Sequence, residues 1–572
     1  MLLIHKENSN ESIDSSQSSD LQGDDANGIK EYRAQSDQRP FTNDASPTAS
    51  KTSTRTRLSF RQQARTLSRV ITGEQRLEDL QVDTELPPMG SGIDMPPIPG
   101  DEKLYLVSFD GPHDPIHPHN WSLTNKIFIT SVVTLFSFCN SLGSALLAES
   151  NDSLREEFHV GSVVATLATS LYVLGFACGP MIWGPLSELY GRKAVLIPST
   201  FGLACFSFAV ATAKDLQTIM ICRFFSGFSG GAAMVISAST IADLFNQKFR
   251  GRAMAPFGIS VCGGPCMAPI ISAFTEKNLS LGWRWNAYWS GISGSFVFAL
   301  MLFFFKETYQ PIILVRKAEV IRRITKNWTV HAPHETLSLT FSEIAVKYIA
   351  RPFYMLFTEP ILFLFALYGA FIYGIIYLLL TAIPLIFLGN YHFAIGVSEL
   401  PYISVLIGCI CGGLTLILFD LRYRTILQKT GSNKPMPKER LPAMMVGSFS
   451  LSGGLFWLCW SGDYADKVHW IVPTIGGAFV GFGFLSIFQP CINYIVDSYL
   501  TYSASALAAM TVLRSIFGGV FPLFAHAMFT KMHIKWAGTL LGCISILLVP
   551  VPFLFYKYDD KMRARSRLAT LM

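Results

Sequence analysis

Gly184-Pro-Leu-Ser-Glu188-Leu-Tyr-Gly191-Arg192-Lys193 is a short polar turn between two apolar runs, residues 163–183 and 194–213. Each run holds about 20 residues, which at 1.5 Å per residue is the helical length needed to cross a bilayer's hydrocarbon. Two glycines permit a sharp reversal, and one carboxylate and two cations keep the turn in the headgroup region. The chain therefore crosses, turns and recrosses.

Outward from this turn the pattern repeats. Further apolar runs stand near 127–148, 217–242, 253–275 and 285–305, and six more near 361–388, 398–419, 441–461, 470–496, 504–530 and 537–557. Half of the 572 residues are hydrophobic and 15% are charged, an imbalance that one soluble core could not hide. The fold class expected is an all-α integral membrane protein with twelve spans in two six-helix halves. Asp243, at the end of the fourth run, precedes Gly264 by the same interval that separates Asp497, at the end of the tenth, from Gly518. That offset suggests a parallel repeat.

The organisation that follows is a cytosolic tail over 1–120, a first half over 121–305, a central loop over 306–355, a second half over 356–557 and a cytosolic tail over 558–572. The N-terminal tail is rich in Ser, Asp, Gln, Thr and Pro and has no apolar run, so it is expected to be disordered. Met1 to Ile4 is followed at once by polar sequence, so no cleavable signal is expected. Arg57, Arg61, Arg65 and Arg69 recur at helical spacing beside Leu58, Phe60, Leu67 and Val70, a pattern that suits an anionic lipid surface. Arg65 stands three before Ser68, a spacing that basic-directed kinases favour, which makes a kinase an expected partner. A solvated charged tail accounts for the same residues.

Lys and Arg outside the spans concentrate in the loops on the side of both termini. The other side carries Arg155, Lys214, Lys277, Arg284, Lys467, Lys531 and Lys535. This asymmetry puts both termini in the cytosol. All eleven cysteines fall within apolar runs, which speaks against a disulfide framework, and Cys409 and Cys411 lack the His partners of a metal site. No Gly-rich run ends in Gly-Lys-Ser or Gly-Lys-Thr, so ATP-driven pumping is not expected. Neither a cofactor, a metal, nucleic acid nor enzymatic chemistry is expected. The partners are lipid, protons and a small-molecule substrate.

The 184–193 turn resembles the loop motif of the major facilitator superfamily, with Glu188 where Asp is usual and Leu189 where a basic residue is usual. The resemblance implies an inner-gate latch made of Gly184, Glu188, Gly191, Arg192, Lys193 and Asp243, with Asp497 as counterpart in the second half. Arg192 and Lys193 also serve as plain topology signals. Arg223, in Arg223-Phe-Phe-Ser-Gly227-Phe-Ser-Gly230-Gly231, is similar to the superfamily's fourth-span arginine, associated with proton coupling; a snorkelling anchor is the other reading. The stretch from Gly258 through Gly263, Gly264 and Pro265 to Pro269 resembles the antiporter motif, with Ala268 in place of its second Gly.

Further segments, among them Gly282-Trp-Arg-Trp285, Phe305-Lys-Glu-Thr-Tyr309, Arg351-Pro-Phe353, Tyr373-Gly-Ile-Ile-Tyr377 and Tyr494-Ile-Val-Asp-Ser-Tyr499, look like the fungal twelve-span drug:proton antiporter family near its polyamine and multidrug branch. That resemblance implies proton-coupled export of drugs, toxic metabolites or polyamines, at the plasma membrane or the vacuolar membrane. It points to Asn140, Arg223, Tyr373, Tyr377, Gln489, Asn493 and Tyr494 as cavity lining, with Arg514 supplying charge. No Asp or Glu lies at mid-depth in a span, which favours neutral or weakly acidic amphipathic compounds over polyamines. Glu149, Asp243 and His526 are the candidate proton carriers, since Arg does not release a proton. A proton-coupled nutrient importer and a non-transporting membrane sensor are the rival readings.

Overall fold

Among the described residues, twelve helices are long and apolar enough to cross a membrane: Leu123–Ala145, Ser162–Tyr190, Arg192–Thr212, Leu216–Leu244, Phe249–Lys277 and Arg284–Phe304 in the first half, then Pro360–Asn390, Val397–Lys429, Pro437–Asp463, Ile471–Ser498, Ser505–Met532 and Ile534–Ala564. They are the first to twelfth spans below. This computed structural model describes Arg69, residues 71–73 and residues 105–568, apart from 112, 279, 337–345, 347–349, 431–435, 500–501 and 567. Arg57, Arg61, Arg65 and Ser68 lie outside the described residues.

Local signals start the helices where the apolar runs begin. Ser122 accepts from Asn125 N–H at the head of the first span, and the Asp215 carboxylate accepts from Thr218 N–H at 2.7 Å at the head of the fourth. Pro360 opens the seventh, where a missing N–H is harmless. Large apolar side chains such as Phe303, Leu418, Phe449 and Leu547 stand exposed on the outside of the bundle, which a lipid solvent accommodates and water would not.

The two halves repeat each other in three dimensions. Gly227 of the fourth span lies so close to the second that a Cβ there would fall 1.9 Å from the Tyr172 carbonyl oxygen; Gly481 of the tenth meets the Val405 carbonyl oxygen of the eighth at 2.0 Å in the same sense. Gly264 of the fifth span packs on Ser141 and Leu142 of the first, and Gly518 of the eleventh on Tyr373 of the seventh. The equal offsets read in the sequence thus mark equivalent helix contacts.

Several boundaries differ from the sequence reading. The second span continues as helix to Tyr190 with Pro180 and Pro185 inside it, so the reversal falls at Gly191 alone. The eighth runs to Lys429, its last turns being polar helix beyond the apolar stretch. The C-terminal helix persists to Arg565, beyond the expected end at 557. The central loop is not without structure: it carries a helix over Gln310–Thr325.

Residues 105–120, assigned to the tail by composition, pack against that helix. Tyr105 and Val107 bury beside Ala318, Ile321, Val330 and Ala332, Val107 N–H donates to the His331 carbonyl at 2.9 Å, and His331 N–H donates back to Tyr105. Lys317 Nζ donates to the Ser108 carbonyl at 2.9 Å and lies 4.0 Å from the Asp114 carboxylate, both side chains buried. A short apolar run, Leu104 to Val107 in the sequence, suffices to hold this segment because the central helix supplies the other face for Tyr105 and Val107.

Candidate functional site

The face bearing the 184–193 turn holds a charge network. Gly191 joins the second and third spans at φ +95°, a conformation side chains rarely adopt, and a Cβ there would sit 2.5 Å from a Glu307 carboxylate oxygen. That carboxylate accepts from Arg192 N–H at 2.9 Å and Lys193 N–H at 3.0 Å, so it caps the positive end of the third span. The Arg192 side chain then turns inward: Nε donates to Asp243 Oδ2 at 3.0 Å, Nη1 to Ser187 Oγ at 2.7 Å, and the guanidinium lies 4.5 Å over the Tyr309 ring. Nearby, Lys193 Nζ donates to the Gly73 carbonyl and Glu307 N–H to the Thr72 carbonyl.

The second half builds the same device. Arg440 Nε donates to Asp497 Oδ2 at 3.0 Å, Nη1 reaches Asp420 Oδ1 at 3.3 Å, and the guanidinium lies 3.9 Å over Tyr423. Gln489 and Asn493 line a pocket beside this network, with Asp420, Arg440 and Gly251. Of the latch residues read from the sequence, the structure joins Arg192 to Asp243 and gives Asp497 a partner of its own. Glu307, Ser187 and Arg440 were not singled out as gate residues. Glu307 stands within Phe305-Lys-Glu-Thr-Tyr309, and only its approach to Gly191 reveals its role.

At the heart of the bundle, Arg223 is buried and each of its three guanidinium nitrogens donates a hydrogen bond. Nε donates to the Ala168 carbonyl at 2.8 Å, Nη1 to Gly143 at 2.9 Å and Nη2 to Ser144 at 3.1 Å, while the guanidinium lies 4.4 Å over Tyr172. It therefore ties the fourth span to the second and to the last turn of the first, whose carbonyls have no following helical N–H. Tyr172 O–H donates to Asn140 Oδ1 at 3.1 Å. Tyr377 and Ser144 share a hydrogen bond of 2.8 Å that joins the halves, and Tyr373 stands 3.4 Å from Tyr377 by their hydroxyls. Arg514 lies 4.8 Å over the Tyr373 ring.

Two residues read from the sequence stand elsewhere. Tyr494 is buried between Phe365 and Phe555 and donates to Asp559 Oδ1 at 2.6 Å, so it packs the seventh, tenth and twelfth spans together. His526 is exposed on the outer surface of the eleventh span.

In the fifth span, Gly264 has no room for a side chain: a Cβ would lie 2.6 Å from both Leu142 N and Ser141 Cβ. Gly263 faces Leu406 and Phe138, Gly258 faces Gln489, and Pro265 and Pro269 lie within the helix. Cys262 comes within 2.7 Å of Cys409, sulfur to sulfur, across the two halves. On the face opposite the turn, Glu149 follows the first span, within electrostatic reach of Glu399 and Glu276. Burial first, then the charges of Glu399, Glu276 and Asp152, hold its carboxyl well above the ordinary carboxylate range.

The sequence profile of the Major Facilitator Superfamily matches residues 133–522. The chain belongs to the major facilitator superfamily. It is thus a multi-pass membrane transporter rather than an enzyme. A Candida albicans superfamily protein named multidrug transporter FLU1 is 54% identical over 492 residues, covering 86% of this chain and 80% of that one. The Candida glabrata multidrug transporter TPO1_2 is 44% identical over 558 residues, covering 96% of each. Among solved structures, a partially occluded inward-open conformation of the E. coli xylose transporter XylE aligns at a TM-score of 0.54 and 16% identity, over 76% of this chain and 98% of that one. That likeness is one of fold. The superfamily membership agrees with the resemblance carried by the 184–193 turn, and the similarity to fungal multidrug transporters with that carried by segments such as Gly282-Trp-Arg-Trp285 and Tyr373-Gly-Ile-Ile-Tyr377.

Proposed function

We propose that this chain exports small amphipathic compounds, drugs and toxic metabolites among them, across the plasma membrane in exchange for protons, by alternating access with both termini in the cytosol. The reading is carried by the extended similarity to relatives named multidrug transporters, over 86% and 96% of the chain. The fifth-span glycines support it, since their close seat on the first span is where the antiporter resemblance falls. Glu149 is the proton-carrying group this reading uses, because it is a carboxyl held well above the ordinary carboxylate range by burial first and then by the charge of Glu399 of the other half. Arg192 with Asp243, and Arg440 with Asp497, latch the cytosolic ends of the two halves.

The test is efflux in oriented vesicles. A fluorescent amphipathic compound should move against its gradient only when a pH gradient is imposed, and substrate addition should drive proton movement the opposite way. Proton and substrate moving together in the same direction would mean an importer. Flux without any dependence on pH would remove the antiport.

A further inference from the structure

Arg514 and Arg223 are both buried guanidinium groups in the core, but their surroundings differ. Arg223 donates to three carbonyls, whereas Arg514, 5% exposed, has no hydrogen-bond partner for Nε or Nη2 among the described residues. Those two nitrogens form one edge of the planar group, the edge that takes both oxygens of a carboxylate in parallel hydrogen bonds. The flat face is covered by Tyr373 at 4.8 Å and Phe488 at 5.3 Å, rings themselves stacked at 24° with centroids 6.2 Å apart. Beside Phe488, the Gln489 amide, 3% exposed, also lacks partners at both Nε2 and Oε1. A permanent cation with an open hydrogen-bonding edge in an apolar bundle is costly unless something negative visits it.

We infer that the Arg514 edge is the anchor for the carboxylate of an amphipathic monoanion, whose apolar body lies along Tyr373 and Phe488. The inference rests on the export reading and narrows its substrate class to weak organic acids transported as their anions. A single negative charge fits: one fork is open, and the rings around it give a second charge no partner. A polycation is excluded from this subsite by Arg514 itself.

The experiment reconstitutes the full chain in proteoliposomes with a pH gradient and compares 1-naphthylacetate with 1-naphthylacetamide, which share shape and differ in charge. The wild type should export the acid. Arg514→Gln should weaken acid export roughly tenfold or more, the loss of two charge-assisted hydrogen bonds, and lower any amide export by a much smaller factor. Arg514→Lys, which keeps the charge without the fork, should fall between. Equal loss of both compounds by a monodisperse Arg514→Gln protein, or no loss of either, would overturn the subsite. Wild-type export of the amide without the acid would overturn the subsite and leave export standing; export of neither would remove both.

Discussion

Replacing Arg223 separates a structural clamp from a coupling group, and its size can be worked from the geometry. The guanidinium makes three hydrogen bonds of 2.8, 2.9 and 3.1 Å to the carbonyls of Ala168, Gly143 and Ser144. At about 1.5–3 kcal/mol for each bond to a charged group, the gross contribution is about 5–9 kcal/mol. Keeping the cation out of water costs several kcal/mol in return, so the net loss for Arg223→Ala is about 2–4 kcal/mol. Arg223→Lys keeps a point charge but loses the planar stack 4.4 Å over Tyr172 and at least one of the three bonds, for about half that loss. Purified Ala variant should melt several degrees below wild type, with Lys intermediate, and its surface level in cells should fall in the same order. Transport per folded molecule should then fall less than total transport. A variant that melts like wild type and reaches the surface normally, yet loses only its dependence on the pH gradient, would refute the clamp and make Arg223 the coupling residue.

Three other perturbations test separate parts of the structure. Gly264→Ala places a Cβ 2.6 Å from backbone and side-chain atoms of the first span, which cannot yield without moving a helix; it should destabilise by about 1–3 kcal/mol and reduce export, seen as a lower melting temperature and greater drug retention. Glu149→Gln bears on pH: with the carboxyl raised above its ordinary value, the folded state holds the proton more tightly, so stability is complete below about pH 4 and declines as pH rises through the raised value. The Gln variant should therefore match wild type below about pH 4 and out-melt it increasingly as pH rises from there, and a wild-type stability that does not fall relative to the Gln variant as pH rises would refute the shift. Cys262 and Cys409, 2.7 Å apart across the halves, should cross-link under mild oxidation. After cleavage at a protease site inserted in the central loop, the halves should co-migrate on a non-reducing gel, and transport should stop until reductant is added.

The spans were legible because their signal is length and composition, and each apolar run needed only lipid to become a helix. The Arg192–Asp243 pair was legible because Arg192 sits in a recognisable turn and Asp243 at the end of the fourth span, where the family resemblance implies the latch acid. Glu307 was not: it lies 115 residues from Arg192, and only the folded chain shows it filling the place a Gly191 Cβ would take. Tyr494 was read as cavity lining and His526 as a candidate proton carrier, but a span carries residues all round, and the helical phase that turns Tyr494 toward Phe365 and His526 outward depends on neighbours. The same limit hid the contrast between Arg223 and Arg514, since two arginines in apolar spans look alike until their donors are counted. Residues 105–120 were lost to the tail because their partner, the central helix, lies some 200 residues away.

The kinds of contact also divide between and within the halves. Each half keeps its strongest polar contacts to itself: Arg192 with Asp243 in the first, Arg440 with Asp497 in the second, and Arg223 with the first and second spans. Across the halves the described contacts include a hydroxyl pair from Tyr377 to Ser144, two thiols at Cys262 and Cys409, glycine approaches such as Gly519 to Leu174 and Gly413 to Ile259, and the Arg424 guanidinium 4.9 Å over the Phe249 ring, none of them a buried ion pair of opposite charges in hydrogen-bond contact. Breaking a buried ion pair costs about 3–5 kcal/mol, whereas one neutral hydrogen bond contributes about 1 kcal/mol. A motion that rocks one half against the other therefore severs the inexpensive contacts and leaves the expensive ones whole. Gly264 follows the same rule from inside the first half, because its seat on Leu142 keeps the fifth span moving with the first. A side chain there would loosen a rigid body, while oxidation of Cys262 and Cys409 would fuse two bodies into one, so both changes should stop transport and only the second should do so without lowering the melting temperature.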